Sequence, residues 1–586
     1  MRSVQRLLVF LGRNRTIFIV ALIFLTYTLL SFGFYQARTL NGEINNHILA
    51  ADMFGVPADL KERGIKTLYH GPVESGWDGQ FYYYMSNDIL GLKDTASHID
   101  TPSYRYQRVG LSLYAAIVAK ILGRDWVSPT IYFLSYLLLI LAATLAGAHL
   151  FSRLGIHPAF ILLWSLSAGT QVTLFNALPD AAADSFLILA LAAVYAKRYA
   201  LSVIPFAFAA LSREVYVLFP SFILLFHCIN LVSETKGSRE WGLRAVVSRF
   251  LQWRHYYLLA LPGLVAVIWH VYVTQHFGAP PVTGAGIVLG YPLAAWTDYF
   301  LSGIKGNHLF VGPGLPAYAE AGSLLLFLTM LAAALWISIY IYIKRYQSVS
   351  PEIRGLVLTA LCFIFLYASF GPVVIKHYTG YLKAAAVFFF LIPLLLIATD
   401  AIRKKQVFVY LLLVIAFSFP AYYSMKVRIL PFSGVNDDQY TKMSTVTKTQ
   451  RIECFDRYEA KIKVKGIEVV KRNFLQHFFG AGDKVVINLE LKNTGQYPFV
   501  SSQNFGSVFM SYHWIDETGK VITDGVRSAI PGILRPGQSA EISVVSNLPD
   551  VHGDRLLKLS PVQEGCAWFY LSNPNISQGL KFHLRQ

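Results

Sequence analysis

VGLSLYAAIVAKIL, residues 109–122, is the stretch on which the topology of this chain turns. It is apolar but short, and it contains Lys120. A bilayer core of about 30 Å takes about 20 apolar residues of helix. A segment this short is expected to lie along the membrane face. If it crossed, every later loop would change sides. With it left out, the positive residues gather on one side. They are Arg153, Lys197 and Arg198, then Lys236, Arg239, Arg244, Arg249 and Arg254, then Lys344 and Arg345, and finally Arg403, Lys404 and Lys405. Lys and Arg accumulate in short cytoplasmic loops. Residues 109–122 therefore read as an outer-face helix inside a long first external loop, 38–127.

Around that segment the chain reads as a membrane protein. Its 586 residues are 54% hydrophobic and only 15% charged, against about 25% charged for an ordinary soluble domain. That composition excludes a soluble enzyme, a disordered chain and a small disulfide-rich module. Eleven candidate spans follow: 16–37, 128–150, 158–178, 181–196, 199–212, 215–232, 256–275, 322–343, 354–372, 384–401 and 407–425. The spans between 181 and 232 are short and their limits are soft. Arg2, Arg6, Arg13 and Arg15 flank the first span, so residues 1–15 are expected in the cytoplasm ahead of an uncleaved anchor. The net charge of +17 belongs to cytoplasmic loops, and no nucleic-acid partner is expected. Four cysteines without a CxxC argue against a zinc or redox motif. No internal repeat is visible.

The tail is of another kind. After the spans (16–425) and a linker (426–455), residues 456–586 carry short strand signals. KVVINLELKNTG (484–495) alternates with period two and ends in a turn. SVFMSYHWIDETGKVI (507–522) reads as two strands joined at Glu-Thr-Gly. PGILRPGQSAEISVVSNLP (531–549) and GCAWFYLS (565–572) continue the style. The expected fold is an all-α multi-span bundle followed by an all-β immunoglobulin-like sandwich. Cys454 and Cys566 both fall in this external part, where a disulfide can form. Cys454 precedes the strands, which weighs against the pairing.

Chemistry is concentrated on the outer side. In GWDGQFYYYMSNDIL (76–90), Asp78 precedes Phe81, Tyr82, Tyr83 and Tyr84. A carboxylate against an aromatic, low-dielectric wall can hold a raised pKa and act as a general base. An Asp-Gly turn with interfacial aromatics is the plain alternative. YRYQRVG (104–110) adds Arg105 and Arg108. ALPDAAAD (177–184) sets Asp180 and Asp184 one helical turn apart. Asp180 also suits a helix start. Asp184 lies within an apolar helix, where a charge costs about 2.5–3.5 kcal/mol on insertion scales. ALSREVYVLFP (210–220) supplies Arg213 and Glu214. PVVIKHYTGYLKAAAVFF (372–389) puts Lys376, His377 and Lys383 outside, against the charge rule. Misplaced cations invite an anionic ligand such as a lipid phosphate, although snorkelling to headgroups also accounts for them. No DxD pair demands a metal, but Asp180 with Glu214 could hold a divalent cation.

WDGQFYY in a long first external loop, LPDAAAD in the next and a multi-span body resemble the GT-C superfamily of membrane glycosyltransferases, and YRYQR, LPD, LSRE and GYLKAAAVFFFLIPLL resemble a group of its bacterial members, over about residues 15–425. The resemblance implies a polyprenyl-phosphate sugar donor. It implies a periplasmic acceptor, a lipopolysaccharide or other envelope glycan or an exported protein such as a pilin. It implies a bacterial inner membrane with the C-terminal part in the periplasm. Asp78 would be the catalytic base and Asp180 the second acid. Asp184, Arg105, Arg108, Arg213, Glu214, Lys376, His377, Lys383 and Tyr82 would contact substrate. Lys383 stands where Arg is expected of such relatives, which keeps the charge and gives up bidentate geometry. The tail resembles β modules attached to bacterial polysaccharide enzymes, and Trp568 and Phe569 there suit either sugar stacking or a core. A lipid-linked glycan transporter or flippase is the rival from another class and would place charges at mid-span within repeated halves. A polysaccharide polymerase or ligase is the enzymatic rival.

Overall fold

The computed structural model describes residues 15–39, 43–51, 53–68, 76–236, 254–281, 288–297, 315–375, 378–399, 454–470, 484–501, 506–525, 527–530, 533–549, 553–564 and 566–584. Within them, seven helices are long and apolar enough to cross a membrane: Arg15–Gly33, Pro129–Arg153, Glu214–Ser233, His255–Phe277, Leu324–Arg345, Pro351–Ala368 and Gly380–Thr399. The expected span at 158–178 is broken into Pro158–Ser165 and Ala168–Phe175, bent by 53°. Side chains satisfy the backbone at that break. Ser167 Oγ accepts from Thr170 N at 3.1 Å, and Gln171 Nε2 donates to the Ser165 carbonyl at 2.8 Å. Counting the bent pair as one span raises the number to eight.

The expectation of eleven spans is therefore not met among the described residues. Two of the eleven, Asp180–Tyr195 and Tyr199–Ser212, are helices of 16 and 14 residues, below spanning length. The expected span at 407–425 lies outside the described residues. Residues 110–121 form a 12-residue helix, about 18 Å long, which is too short to cross. Leu111, Ala115 and Ala119 face the protein, while Ile117, Ile121 and Leu122 are exposed. The first loop is largely helical, with Gly79–Ser86 and Pro102–Tyr106 packed ahead of Gly110–Ile121.

At one end of the bundle, Lys197 Nζ meets Glu352 Oε1 at 2.7 Å, with the Tyr199 hydroxyl on the same oxygen at 3.0 Å. This clasp ties the turn after Asp180–Tyr195 to the start of Pro351–Ala368. At the other end, the Tyr132 and Tyr136 hydroxyls donate to the carbonyls of Ala177 and Leu178 at 3.3 and 2.7 Å. They hold a turn in which Ala177 adopts a φ of 56°, a conformation that costs about 1–3 kcal/mol and needs such support.

Among its described residues, the C-terminal region is all-β except for one helical turn. One antiparallel sheet runs in the order Ala460–Val470, Lys484–Asn493, Ser539–Asn547. A second centres on Val508–Ile515 and Gly553–Gln563. Val521–Asp524, Ser528–Ala529, Ala567–Trp568 and Gln578–Leu584 are added at its margins. Period-two positions Val485, Ile487, Leu489 and Leu491 share one apolar core with Met510, Tyr512, Trp514, Leu557 and Leu559. The Glu-Thr-Gly turn forms as read, with Gly519 at a φ of 84° and Asp516 Oδ1 accepting from Thr518 N at 2.9 Å. GCAWFYLS departs from its reading: Ala567–Trp568 is a two-residue strand, and Phe569–Ser572 is helical.

Cys454 and Cys566 are disulfide-bonded, with Cα atoms 5.5 Å apart. The position of Cys454 ahead of the strands does not prevent this. Gln563 Oε1 accepts from Phe455 N at 2.9 Å and from the Tyr458 hydroxyl at 3.1 Å, which pins the segment to the second sheet.

Candidate active site

Asp78 leads into Gly79–Ser86, a helix whose own amides its side chain does not cap. Its position is set by close packing. A Cβ at Gly79 would lie 1.9 Å from the Asn176 carbonyl oxygen, so only glycine lets the helix start dock on the turn that precedes Asp180. Gln80 completes the anchor: its Oε1 accepts from Ala51 N at 3.1 Å and its Nε2 donates to the Trp77 carbonyl at 3.1 Å. The following aromatics, Phe81, Tyr82, Tyr83 and Tyr84, are buried pegs and not interfacial residues. Tyr82 packs with Phe81, Met85, Tyr106 and Leu178, so it supports the site from beneath.

Two arginines stand over that layer. Arg105 is buried and holds two carboxylates. Its Nη1 donates to Asp78 Oδ2 at 2.9 Å, and its Nε and Nη2 donate to Asp100 at 2.9 and 2.6 Å. Arg108 makes a bidentate pair with Glu214, at 2.9 and 2.8 Å. The Tyr104 ring lies against both guanidinium groups, 5.5 and 4.5 Å from its centroid. YRYQR is thus one unit: an aromatic spacer with one arginine on the Asp78 and Asp100 carboxylates and the other on Glu214.

Asp180 is buried and faces Arg213, with Nη1 3.2 Å from Oδ1. Asp184 is buried on different partners. It accepts from Trp164 Nε1 at 2.9 Å and from the Tyr216 hydroxyl. That arrangement clasps three helical segments and leaves Asp184 no exposed face for substrate.

Lys383 arrives from Tyr378–Ala385, pressed onto the bent pair where a Cβ at Gly169 would lie 2.4 Å from the Leu382 carbonyl. The Tyr367 hydroxyl donates to the Ala384 carbonyl at 2.5 Å and fixes the next turn. Lys383's charge acts on both Asp78 and Asp180. Among the described residues it forms no ion pair.

Asp78 thus sits in a field of cations. Its side chain is 48% exposed, yet it is hemmed in by protein. Burial pushes its carboxyl up, as the aromatic wall led one to expect, but Arg105, Lys383 and Arg108 pull it down by more, so it titrates below its ordinary value and not above it. Oδ2 is taken by Arg105, while Oδ1 accepts no hydrogen bond among the described residues.

Of the residues expected at the site, Asp78, Arg105, Arg108, Asp180, Arg213, Glu214 and Lys383 come together. Asp184 and Tyr82 lie just behind them, and Lys376 and His377 lie outside the described residues. Asp180 and Glu214 do not form a cation site, because each faces its own guanidinium. Among the described residues there is no group of three or more metal-ligating side chains. Asp100, Tyr104, Trp164 and Tyr216 were not anticipated. Asp100 could have been found as the acid nearest the YRYQR run, whereas Trp164 sits in an apolar stretch with no local signal. In the β region, Phe569 is core, and the Trp568 ring is engaged by Arg527 and His513, with centroid distances of 5.1 and 3.9 Å. No family model, no curated protein and no solved structure matches the chain.

Proposed function

We propose that this chain is a membrane glycosyltransferase of GT-C type that moves a monosaccharide from a polyprenyl-phosphate carrier to an acceptor outside the cytoplasm. The observation that carries the reading is a carboxylate oxygen of Asp78 that accepts no hydrogen bond among the described residues, within the electrostatic reach of Lys383, which forms no ion pair among them. Asp78 Oδ1 accepts the acceptor hydroxyl proton as that oxygen attacks the anomeric carbon. The bond from that carbon to the phosphate oxygen breaks, and the electron pair leaves on the lipid phosphate. Lys383 and Arg213 offset its charge. A single displacement of this kind inverts the anomeric centre. Arg105, Arg108, Asp100 and Glu214 hold the geometry, and Asp180 sets the charge around Arg213.

Two further observations support the proposed sidedness. The Cys454–Cys566 bond fits an oxidising compartment. Arg153, Lys197 and Arg198 lie at the helix ends remote from Asp78, as they would on a cytoplasmic face. We place the site and the β region, read as an immunoglobulin-like module, in the periplasm of a bacterial inner membrane. The preferred acceptor is a lipopolysaccharide sugar, with an exported protein second. A flippase reading is less favoured because these charges collect at one end of the helices.

The test uses the wild type and Asp78→Asn in detergent, each incubated with a panel of polyprenyl-phosphate sugars and a cell-envelope extract. Mass spectrometry reads the sugar transferred, and a melting curve checks folding. Wild-type transfer with a loss of about 10²–10⁴-fold in the folded variant is expected. Equal transfer by both removes Asp78 as the base.

A further inference from the structure

We propose that a second, anionic-lipid site lies at the opposite end of the bundle, where the Pro129–Arg153 and Asp180–Tyr195 helices end. It takes the phosphate of a membrane phospholipid on Arg153 and Arg198, with His149 as a third polar contact. A cavity of about 480 Å³ opens there, lined by those three residues and by an apolar wall that includes Leu154, Leu189 and Leu201. It is remote from the carboxylate cluster. Tyr136 is bound to Leu178 beside Asp180, and His149 stands 13 residues further along the same helix, about 20 Å at 1.5 Å per residue.

Charge distinguishes this place from an ordinary basic loop. Its neighbour Lys197 is already neutralised by Glu352 at 2.7 Å. Arg153 and Arg198 have no such partner: among the described residues neither forms an ion pair or a hydrogen bond through its side chain. Two unpaired guanidinium groups at the mouth of a leucine-walled cavity match a ligand with an anionic head and an apolar body. Guanidinium meets phosphate with a bidentate fork, and basic pockets between membrane helices on the cytoplasmic side hold lipid headgroups. The charge rule for loops accounts for cations on this face. It does not account for a cavity beside them, and Lys344 and Arg345 supply charge at the same end without lining it. Free phosphate carries the same head chemistry but has no use for the leucine wall.

The test is a lipid titration of the full chain in detergent, read by native mass spectrometry, with phosphatidylglycerol and phosphatidylcholine as probes. The Arg153→Ala/Arg198→Ala variant is compared with a charge-matched control, Lys344→Ala/Arg345→Ala. Each arginine near the surface contributes roughly fivefold to anionic-lipid binding. The first phosphatidylglycerol should therefore bind the cavity variant about tenfold or more weakly than wild type, with the control and phosphatidylcholine binding unchanged. Equal affinity in the cavity variant, or an equal loss in the control, overturns the proposal. Displacement of the lipid by millimolar inorganic phosphate alone reassigns the site to a free anion and overturns it as well. If the double variant does not melt cooperatively, Arg153→Gln and Arg198→Gln singly take its place, each expected to lose about fivefold.

Discussion

At the level of single residues, the site turns on what surrounds each charge. Asp78 and Asp184 are both carboxylates beside aromatic groups, but they have opposite uses. Asp78 keeps an open oxygen among cations. Asp184 spends both oxygens on Trp164 and Tyr216. Asp184→Ala should leave two buried donors unpaired and destabilise the bundle by about 2–4 kcal/mol, seen as a lower melting temperature, with Asp184→Asn milder. Arg105→Ala has a different signature. A base works deprotonated, so activity falls as pH drops through its pKa. In the wild type that limb lies below the ordinary carboxylate range, and the rate should be flat across mildly acidic pH. Removing the Arg105 charge raises the Asp78 pKa, and the acid limb should move upward in a pH–rate profile. Lys383→Ala should lower kcat by about 10²-fold with a smaller change in KM, as for loss of a contact to the leaving group. Lys383→Arg should restore most of it. A loss confined to KM would make Lys383 a binding residue only.

At the level of elements, the segments that carry the site meet because glycines allow backbone to touch backbone. Gly79 sets the Asp78 helix on the turn before Asp180, and Gly169 admits the helix that carries Lys383. Gly79→Ala drives a methyl group into a carbonyl that cannot retreat. It should cost about 1–3 kcal/mol or more and reduce activity together with stability, which a melting curve beside a transfer assay would show. The segments themselves were readable from composition: WDGQF, YRYQR, LPDAAAD, LSRE and GYLK each announced a charge in an apolar setting. Their pairing was not. Arg108 joins Glu214 across 106 residues, and no local pattern encodes which arginine takes which acid.

At the level of the whole chain, two materials are joined. The helical part buries a large apolar core and a smaller one around Tyr82 and Tyr106, and the β region has its own, closed by a disulfide across 112 residues. By loop-closure entropy such a bridge is worth up to about 4–5 kcal/mol. Cys454→Ser should lower the melting transition of the β region and leave the helical transition in place; an unchanged β transition would show that the bridge constrains little. The topology is testable too. On the proposed sidedness in a bacterial inner membrane, a cysteine placed at Gly123, after the short helix, should react with a membrane-impermeant maleimide added to cells with a permeabilised outer membrane. Protection there would mean that residues 109–122 cross, and every side would change.

Hydropathy and periodicity alone determined that this chain carries helices long and apolar enough to cross a membrane and a β-rich tail, that residues 109–122 are shorter than a span, and which segments carry charge. Those properties are local: a span needs length, a strand needs alternation, and a misplaced charge is visible without its neighbours. Tertiary structure decided the rest. The 158–178 segment breaks because Ser167 and Gln171 can satisfy a bent backbone. Tyr82 is buried against Phe81, Met85, Tyr106 and Leu178, and Cys454 meets Cys566 where Gln563 holds the backbone of Phe455 beside it. Each of these depends on which distant groups satisfy a buried polar atom, and that is settled only when the elements pack.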